Sequence, residues 1–149
     1  MMSTERIVTQ SGRSDNTLGL AVVIPALDEA GNIGSLVHEV RQVAPALVIV
    51  VDNGSTDATA AEAAAGGALV LSEPRRGYGY ACQAGVLKAV ELQADVLVFL
   101  DGDYSFLPAE LPRLLLPILL DQADLVLGSR WLGHIEPGAM PPQQRFGNW

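Results

Sequence analysis

Two carboxylates separated by one glycine close an apolar run in the second half of the chain. Residues 96–100 are all apolar, and Asp101-Gly102-Asp103 follows at once. In an open α/β sheet, ligands bind beyond the carboxyl ends of the strands. Two acidic side chains there suit a hard divalent cation that carries phosphate oxygens, and a shared cation would relieve their mutual repulsion. We therefore interpret this stretch as the metal and diphosphate end of a nucleotide-sugar site.

The loops after the first two apolar runs carry acidic and amide side chains. Asp28 and Glu29 follow the first run, where a carboxylate could accept hydrogen bonds from a ribose or a base. Alternatively, they only complement the dipole of the next helix. Asp52 and Asn53 follow the second run and could hold a ribose hydroxyl or a base N–H, although turns often use the same residue types. Asp57 is more simply the cap of the following helix.

Positive charge is scarce in this chain, so its position matters. The formal net charge is −8 and only 17% of the residues are charged. Arg75 and Arg76 precede Gly77, where a glycine lets the backbone approach a phosphate and a helix N-terminus favours an anion. Two arginines on a loop can also simply be solvated. Arg130, after the predicted fifth strand, offers another cation for phosphate.

Strand and helix patterns alternate along the chain, which predicts an α/β fold with a mainly parallel sheet and helices on both faces. The predicted strands are residues 20–24, 47–51, 68–71, 96–100 and 124–128. The predicted helices are residues 32–43, 57–65 and 80–92, with a fourth that begins at Pro108 and is kinked or shortened by Pro117. Pro25 is expected to stop the first strand, because proline lacks a backbone N–H.

The chain's 149 residues correspond to one domain. We predict a disordered leader at residues 1–17, which are polar, and one domain at residues 18–149. The pattern stops at Trp149 without a helix to close the last unit, so we expect a fold that is incomplete at the C-terminus. Either the chain is a fragment of a longer protein, or it borrows the missing surface from a partner subunit.

Composition excludes several classes of protein. The single cysteine, Cys82, rules out an intrachain disulfide and a cysteine-rich zinc site. The acidic balance argues against non-specific binding to nucleic acid or to anionic lipid. No stretch reaches the roughly 18 apolar residues of a membrane span. The expected location is the cytoplasm, with peripheral contact at the inner face of the membrane as an option.

Rival functions account for the motifs less well. A nucleotide-dependent oxidoreductase needs Gly-x-Gly-x-x-Gly after the first strand, and that motif is absent. A calcium loop fails because Phe106 and Pro112 replace its glycine and glutamate. A phosphatase with an aspartyl nucleophile also uses Asp-x-Asp, but there the motif normally lies on the first strand, and here the only lysine, Lys88, precedes it. A domain that binds a nucleotide sugar without turnover remains an alternative.

The ordered set of loops resembles the family 2 glycosyltransferases of the GT-A fold, a Rossmann-like architecture. Within that family it is most similar to the polyprenyl- and dolichyl-phosphate sugar synthases. The resemblance rests on residues 22–29, 50–57, 76–81, 101–103 and 128–130. Three departures are Asp28, where asparagine is more frequent, Asn53, where a second aspartate is common, and Phe106, where relatives are often polar.

The resemblance implies an inverting transferase of the cell envelope that uses a nucleoside-diphosphate-sugar donor, Mg²⁺ or Mn²⁺, and a polyprenyl phosphate acceptor. Carried over position by position, the nucleotide-sugar-binding residues are Pro25, Leu27, Glu29, Asp52, Asn53, Arg76, Asp101, Gly102 and Arg130. The metal ligands would be Asp101 and Asp103, with Asp103 as the catalytic residue. A phosphate acceptor is already anionic near neutral pH, so this chemistry needs no strong general base.

Overall fold

The structure is a computed structural model, and it describes residues 19–129. The predicted leader at residues 1–17 and the predicted site residue Arg130 lie outside the described residues. The chain divides into two compact units, with the boundary between Phe106 and Leu107. The strands and the first three helices belong to the first unit.

Four parallel strands form one sheet within the described part of the chain. They are β1 (Leu20–Ala26), β2 (Leu47–Asp52), β3 (Leu69–Ser72) and β4 (Val96–Phe99), in the order β3-β2-β1-β4. Ala26 aligns with Asp52, and Asp52 aligns with Ser72, so these three strands end level with one another. The predicted parallel α/β sheet is confirmed, and its carboxyl edge brings the loops of interest together.

Helices cover both faces of the sheet. They are α1 (Ile33–Val43), α2 (Thr59–Ala65) and α3 (Tyr78–Glu91). Helix α3 packs so closely on β1 that a Cβ added to Gly85 would clash with Val23. Because side chains alternate along a strand, Val22 and Ile24 face the opposite side, and all three are fully buried. Helices α1 and α2 pack together and cover that opposite side.

Strand β1 continues through Pro25, so the prediction that proline stops it was wrong. The carbonyl of Val23 accepts a bond from Leu100 on the β4 side, whereas the carbonyl of Ala26 accepts one from Asn53 on the β2 side. Because the backbone groups of successive residues point to alternate sides of a strand, those of Pro25 point toward β4. The last residue of β4, Phe99, pairs with Val23, so β4 has ended before it reaches Pro25. The missing N–H of proline therefore costs no sheet hydrogen bond there.

The second unit contains a 3₁₀ turn (Pro108–Glu110) and helix α4 (Leu111–Leu119) within residues 107–129. Helix α4 ends two residues after Pro117, in line with the predicted early end. No strand forms at residues 124–128, so the predicted fifth strand was wrong. Leu125 and Leu127 are 74% and 78% exposed, and an apolar run becomes a strand only when a neighbouring strand pairs with it.

Other boundaries shift by one or two residues. Helix α3 begins at Tyr78 rather than Tyr80, and β4 ends at Phe99 rather than Leu100. Asn32 lies at the N-cap position of α1, but its side chain makes no capping bond. In the part of the chain that the structure describes, no helix has both the length and the apolar character that crossing a membrane requires.

Candidate functional site

A cleft of about 300 Å³ opens at the carboxyl end of the sheet, within the first unit. It collects residues from the loops after β1, β2, β3 and β4. Among its lining are eight of the residues that the sequence predicted: Pro25, Leu27, Glu29, Asn53, Arg76, Asp101, Gly102 and Asp103. The loops after β1 and β2 and the turn Asp101-Gly102-Asp103 therefore share one concave surface, as a ligand site of an open α/β sheet requires.

Asp52 is the one described residue of the predicted set that does not line the cleft. Its side chain contacts the loop that follows β2, where Oδ1 accepts a 3.0 Å hydrogen bond from the backbone N–H of Ser55. This bond closes the turn after β2, a frequent use of aspartate. Asp52 thus shapes the loop beside the cleft.

Asn53 joins the end of β2 to the glycine-bearing loop. Its side-chain nitrogen donates to the carbonyls of Glu73 and Arg75 at 2.9 and 2.8 Å, and its side-chain oxygen accepts a 2.7 Å bond from Gly77 N–H. The residue is only 5% exposed. The side-chain nitrogen of Asn53 donates two of these three hydrogen bonds. An ionised aspartate has no donor, so it could not make the same contacts.

The two adjacent arginines have different surroundings. Arg75 forms a two-bond ion pair with Glu73, at 2.9 and 2.7 Å, and its guanidinium lies 4.7 Å from the ring centre of Tyr80. Hydrogen bonds from Arg75 lower the pKa of Glu73 to about 2, so this pair is charged at neutral pH. Arg76 lines the cleft and donates one 3.1 Å bond to the carbonyl of Gly54. Of the two arginines, Arg76 is therefore the one that lines the cleft.

The turn after β4 presents both carboxylates to the cleft. Asp101 is half-buried, and its Oδ1 accepts a 3.3 Å bond from the hydroxyl of Tyr78. Asp103 is exposed, and its Oδ1 accepts a 2.9 Å bond from Ser105 N–H. Gly102 is buried between them, and a Cβ added there would come within 3.2 Å of the Glu29 side chain. Glycine therefore allows the β1 loop and the acidic turn to approach closely.

The oxygen atoms of Asp101 and Asp103 fit a hard divalent cation. Among residues 19–129, no group of three histidine, cysteine or acidic residues could hold a metal ion alone. Mg²⁺ in such sites is commonly held by one or two carboxylates, and takes its other ligands from substrate phosphates and water. The donor set in the cleft matches that mode of binding, in which the metal arrives with a diphosphate.

Two tyrosines beside the acidic turn were not among the predicted site residues. Tyr78, on the cleft, has its pKa raised to about 12, first by burial and then by the charge of Asp101. Tyr104 directly follows Asp103, and burial together with a hydrogen bond to Glu39 raises its pKa to about 12. Neither role could be deduced from the sequence, because the acceptors Asp101 and Glu39 lie 23 and 65 positions away.

Comparison with known proteins places the chain among sugar transferases. The sequence profile described as "Glycosyl transferase family 2" matches residues 21–149. The low-salt glycan biosynthesis hexosyltransferase Agl6 of Haloferax volcanii is 38% identical over 144 residues, which are 93% of this chain and 34% of that protein. The polyprenol monophosphomannose synthase of Mycolicibacterium smegmatis is 36% identical over 122 residues, which are 74% of this chain and 44% of that one.

A solved structure agrees with these relatives. It is the glucosyl-3-phosphoglycerate synthase from Mycobacterium tuberculosis in complex with Mn²⁺, UDP and phosphoglyceric acid. The TM-score is 0.59 at 33% identity, and the match covers 68% of this chain and 39% of that one. The chain therefore spans less than half the length of each of these three proteins.

Proposed function

The chain belongs to glycosyl transferase family 2, and from that membership we propose that its cleft binds a nucleoside-diphosphate-sugar together with Mg²⁺ or Mn²⁺. The donor so bound would pass its sugar to an acceptor with inversion at the anomeric carbon. One observation carries the proposal: Arg76, Asp101 and Asp103 line the same cleft as the loop that contains Leu27 and Glu29. One surface thus combines the guanidinium of Arg76, the two carboxylates that would bind the metal, and a partly apolar wall.

Each wall of the cleft has a proposed part in donor binding. Pro25 and Leu27 would contact the nucleoside through apolar surface, and the carboxylate of Glu29 would accept its hydrogen bonds. Arg76, beside the cleft end of α3, would pair with the diphosphate, because a guanidinium forms two parallel bonds with phosphate oxygens. Asp52 and Asn53 would act through the shape of the loop, given their contacts with Ser55 and Gly77.

Asp101 and Asp103 would hold the cation, with Asp103 as the residue nearest to the chemistry. When bound, the divalent cation would neutralise the charge that develops on the leaving diphosphate. The chain's own contribution is positional and electrostatic: Arg76 would hold the leaving group, and the apolar surface of Pro25 and Leu27 would hold the nucleoside in place. The bond between the anomeric carbon and the diphosphate breaks as an acceptor oxygen attacks from the opposite face.

The acceptor we propose is a polyprenyl phosphate. One relative bears the name polyprenol monophosphomannose synthase, and a phosphate acceptor is already anionic near neutral pH, so it requires no histidine base. A lipid-phosphate acceptor would bring the chain to a membrane surface from the cytoplasmic side. For the donor we propose a uridine nucleotide, because related structures contain UDP or UDP-glucose.

Calorimetric titration of the full 149-residue chain with UDP, GDP and ADP, each with and without Mn²⁺, tests the proposal. We expect UDP to bind, and to bind more tightly with the metal present. A folded chain that binds none of the three would overturn the donor site. Transfer of sugar from UDP-glucose to a short polyprenyl phosphate then separates an enzyme from a binding domain, and metal-dependent hydrolysis of a simple phosphomonoester would instead favour the phosphatase.

A further inference from the structure

Four consecutive backbone N–H groups in the loop after β1 all donate to side chains of one distant segment. We call residues 28–31 the braced loop and residues 55–62 the brace segment. Asp28 N–H donates to Ser55 Oγ at 3.0 Å, Glu29 N–H to Thr59 Oγ1 at 2.8 Å, Ala30 N–H to Asp57 Oδ2 at 3.0 Å and Gly31 N–H to Glu62 Oε2 at 2.6 Å. Every backbone donor of the braced loop is therefore satisfied from outside the loop.

The contacts also run in the opposite direction. Oδ1 of Asp28 accepts hydrogen bonds from the backbone N–H and the hydroxyl of Thr56, at 2.7 and 3.2 Å. Asp28 has a φ of 55° and Gly31 a φ of 90°, and the left-handed region is unfavourable for a residue with a side chain. The hydrogen bonds from the brace segment therefore support the left-handed conformation of Asp28.

Thr59 is the central member of the brace segment. Thr59 is fully buried. Its hydroxyl accepts a hydrogen bond from the Glu29 N–H and donates one to Oδ1 of Asp57. Asp57 in turn accepts the N–H of Ala30 through its other oxygen. The hydrogen bonds from Thr59 hold the pKa of Asp57 below its ordinary value, so Asp57 remains an acceptor at neutral pH.

The braced loop bears directly on the cleft. Leu27 precedes it and Glu29 lies within it, and both line the cleft, whereas Thr59 and Asp57 do not. We propose that Thr59 is a positioning residue for donor binding, which fixes Glu29 and Leu27 through the Glu29 N–H and through Asp57. This inference rests on the proposed function, because the ligand whose affinity it sets is the nucleoside diphosphate. A loop held in its binding conformation loses less entropy when the ligand arrives.

Thr59→Val tests the inference, because valine has nearly the shape of threonine and lacks the hydroxyl. Thr59→Ser restores the hydroxyl and serves as the rescue variant. Val70→Ala is the matched control: it removes methyl groups from the middle of β3, and Val70 is half-buried and absent from the cleft lining. Two measurements are made on the full chain: amide hydrogen exchange at Glu29 and Ala30 without ligand, and the affinity for UDP with Mn²⁺.

In Thr59→Val we expect exchange at Glu29 and Ala30 to accelerate by about tenfold and UDP affinity to fall by about tenfold, because the part-buried Glu29 N–H is left without its acceptor. Thr59→Ser should recover most of both, and Val70→Ala should change neither beyond what its loss of global stability explains. Rapid exchange at both amides in the wild-type chain, or an unchanged UDP affinity in Thr59→Val, would overturn the inference alone. A wild-type chain that has protected amides but binds no nucleotide would overturn the proposed function, and the inference with it.

Discussion

The hydroxyl of Tyr104 donates a 3.0 Å hydrogen bond to Oε1 of Glu39 on α1. Tyr104 directly follows Asp103, and its φ of 60° lies in the left-handed region. A non-glycine residue keeps this conformation only when its surroundings require it. The bond to Glu39 thus ties the turn that carries Asp101 and Asp103 to a rigid helix.

Tyr104→Phe should loosen that turn. We expect it to lower the free energy of unfolding by about 1 kcal/mol, the usual value of one hydrogen bond, and to weaken the metal-dependent part of UDP affinity. Tyr80→Phe is the control, because it makes the same chemical change and keeps the ring that contacts Arg75. Urea unfolding and calorimetry measure the two effects. Equal behaviour of the two variants would show that the Tyr104 hydroxyl does not support the turn.

Alkaline pH should destabilise the fold through Tyr78 and Tyr104. The pKa values of Tyr78 and Tyr104 are raised from 10 to about 12, so the folded chain holds these protons more tightly than the unfolded chain does. Their contribution to stability is complete below pH 10 and is lost as the pH rises toward 12. Phenolate absorbance should show two late transitions, one of which disappears in Tyr78→Phe and the other in Tyr104→Phe. Titration of both groups at pH 10 would contradict the contacts of Tyr78 with Asp101 and of Tyr104 with Glu39.

The adjacent arginines provide a matched pair of variants. Arg76→Gln should reduce UDP affinity by about tenfold, since a bond between charged groups typically contributes more than a neutral one. Arg75→Gln should instead lower stability, because it breaks the ion pair with the nearly buried Glu73. Calorimetry and thermal unfolding of both variants separate the effects. The assignment fails if Arg75→Gln is the one that loses affinity while keeping its stability.

Asn53→Asp tests whether the amide at the end of β2 is structural. An aspartate cannot donate to the carbonyls of Glu73 and Arg75, so one buried and one part-buried acceptor would face a carboxylate. We expect a loss of about 2–4 kcal/mol in the free energy of unfolding. Asn32→Asp, at an exposed position where the side chain caps nothing, should change stability by less than about 0.5 kcal/mol. Similar stability of the two variants would contradict the role of the Asn53 bonds.

Local pattern was sufficient to predict the strands of the sheet and the place of the acidic turn. Each of the four observed strands is an apolar run, and the buried face of α1 follows from apolar residues spaced three and four apart. A parallel sheet brings its carboxyl ends to one edge, so Asp101 and Asp103 had to meet the earlier loops there. The fold and most of the cleft lining therefore follow from spacing and residue type.

Features that depend on distant partners could not be predicted. Pro25 remains within β1 only because β4 ends early, and residues 124–128 form no strand because pairing, not composition, makes one. Arg75 differs from Arg76 because it contacts Glu73 and Tyr80. The types and order of the residues do not predict which arginine makes these contacts. Thr59 reads as an ordinary residue of a helix start, and its bond to Glu29 spans 30 positions.

Paramagnetic broadening by Mn²⁺ in the presence of UDP tests the central claim most directly. Amide signals of the isotope-labelled chain are recorded with UDP and Mg²⁺, and again with UDP and Mn²⁺. The spectra compare the wild type with a double variant that combines Asp101→Asn and Asp103→Asn. Glu91→Gln, which removes a negative charge from the pair with Lys88 on α3, is the control for the loss of a negative charge outside the cleft. We predict that Mn²⁺ broadens Asp101, Gly102 and Asp103 most, then Glu29 and Gly77, and that the double variant loses this pattern while Glu91→Gln keeps it. Broadening centred elsewhere, or unchanged in the double variant, would contradict a metal-assisted donor site in this cleft.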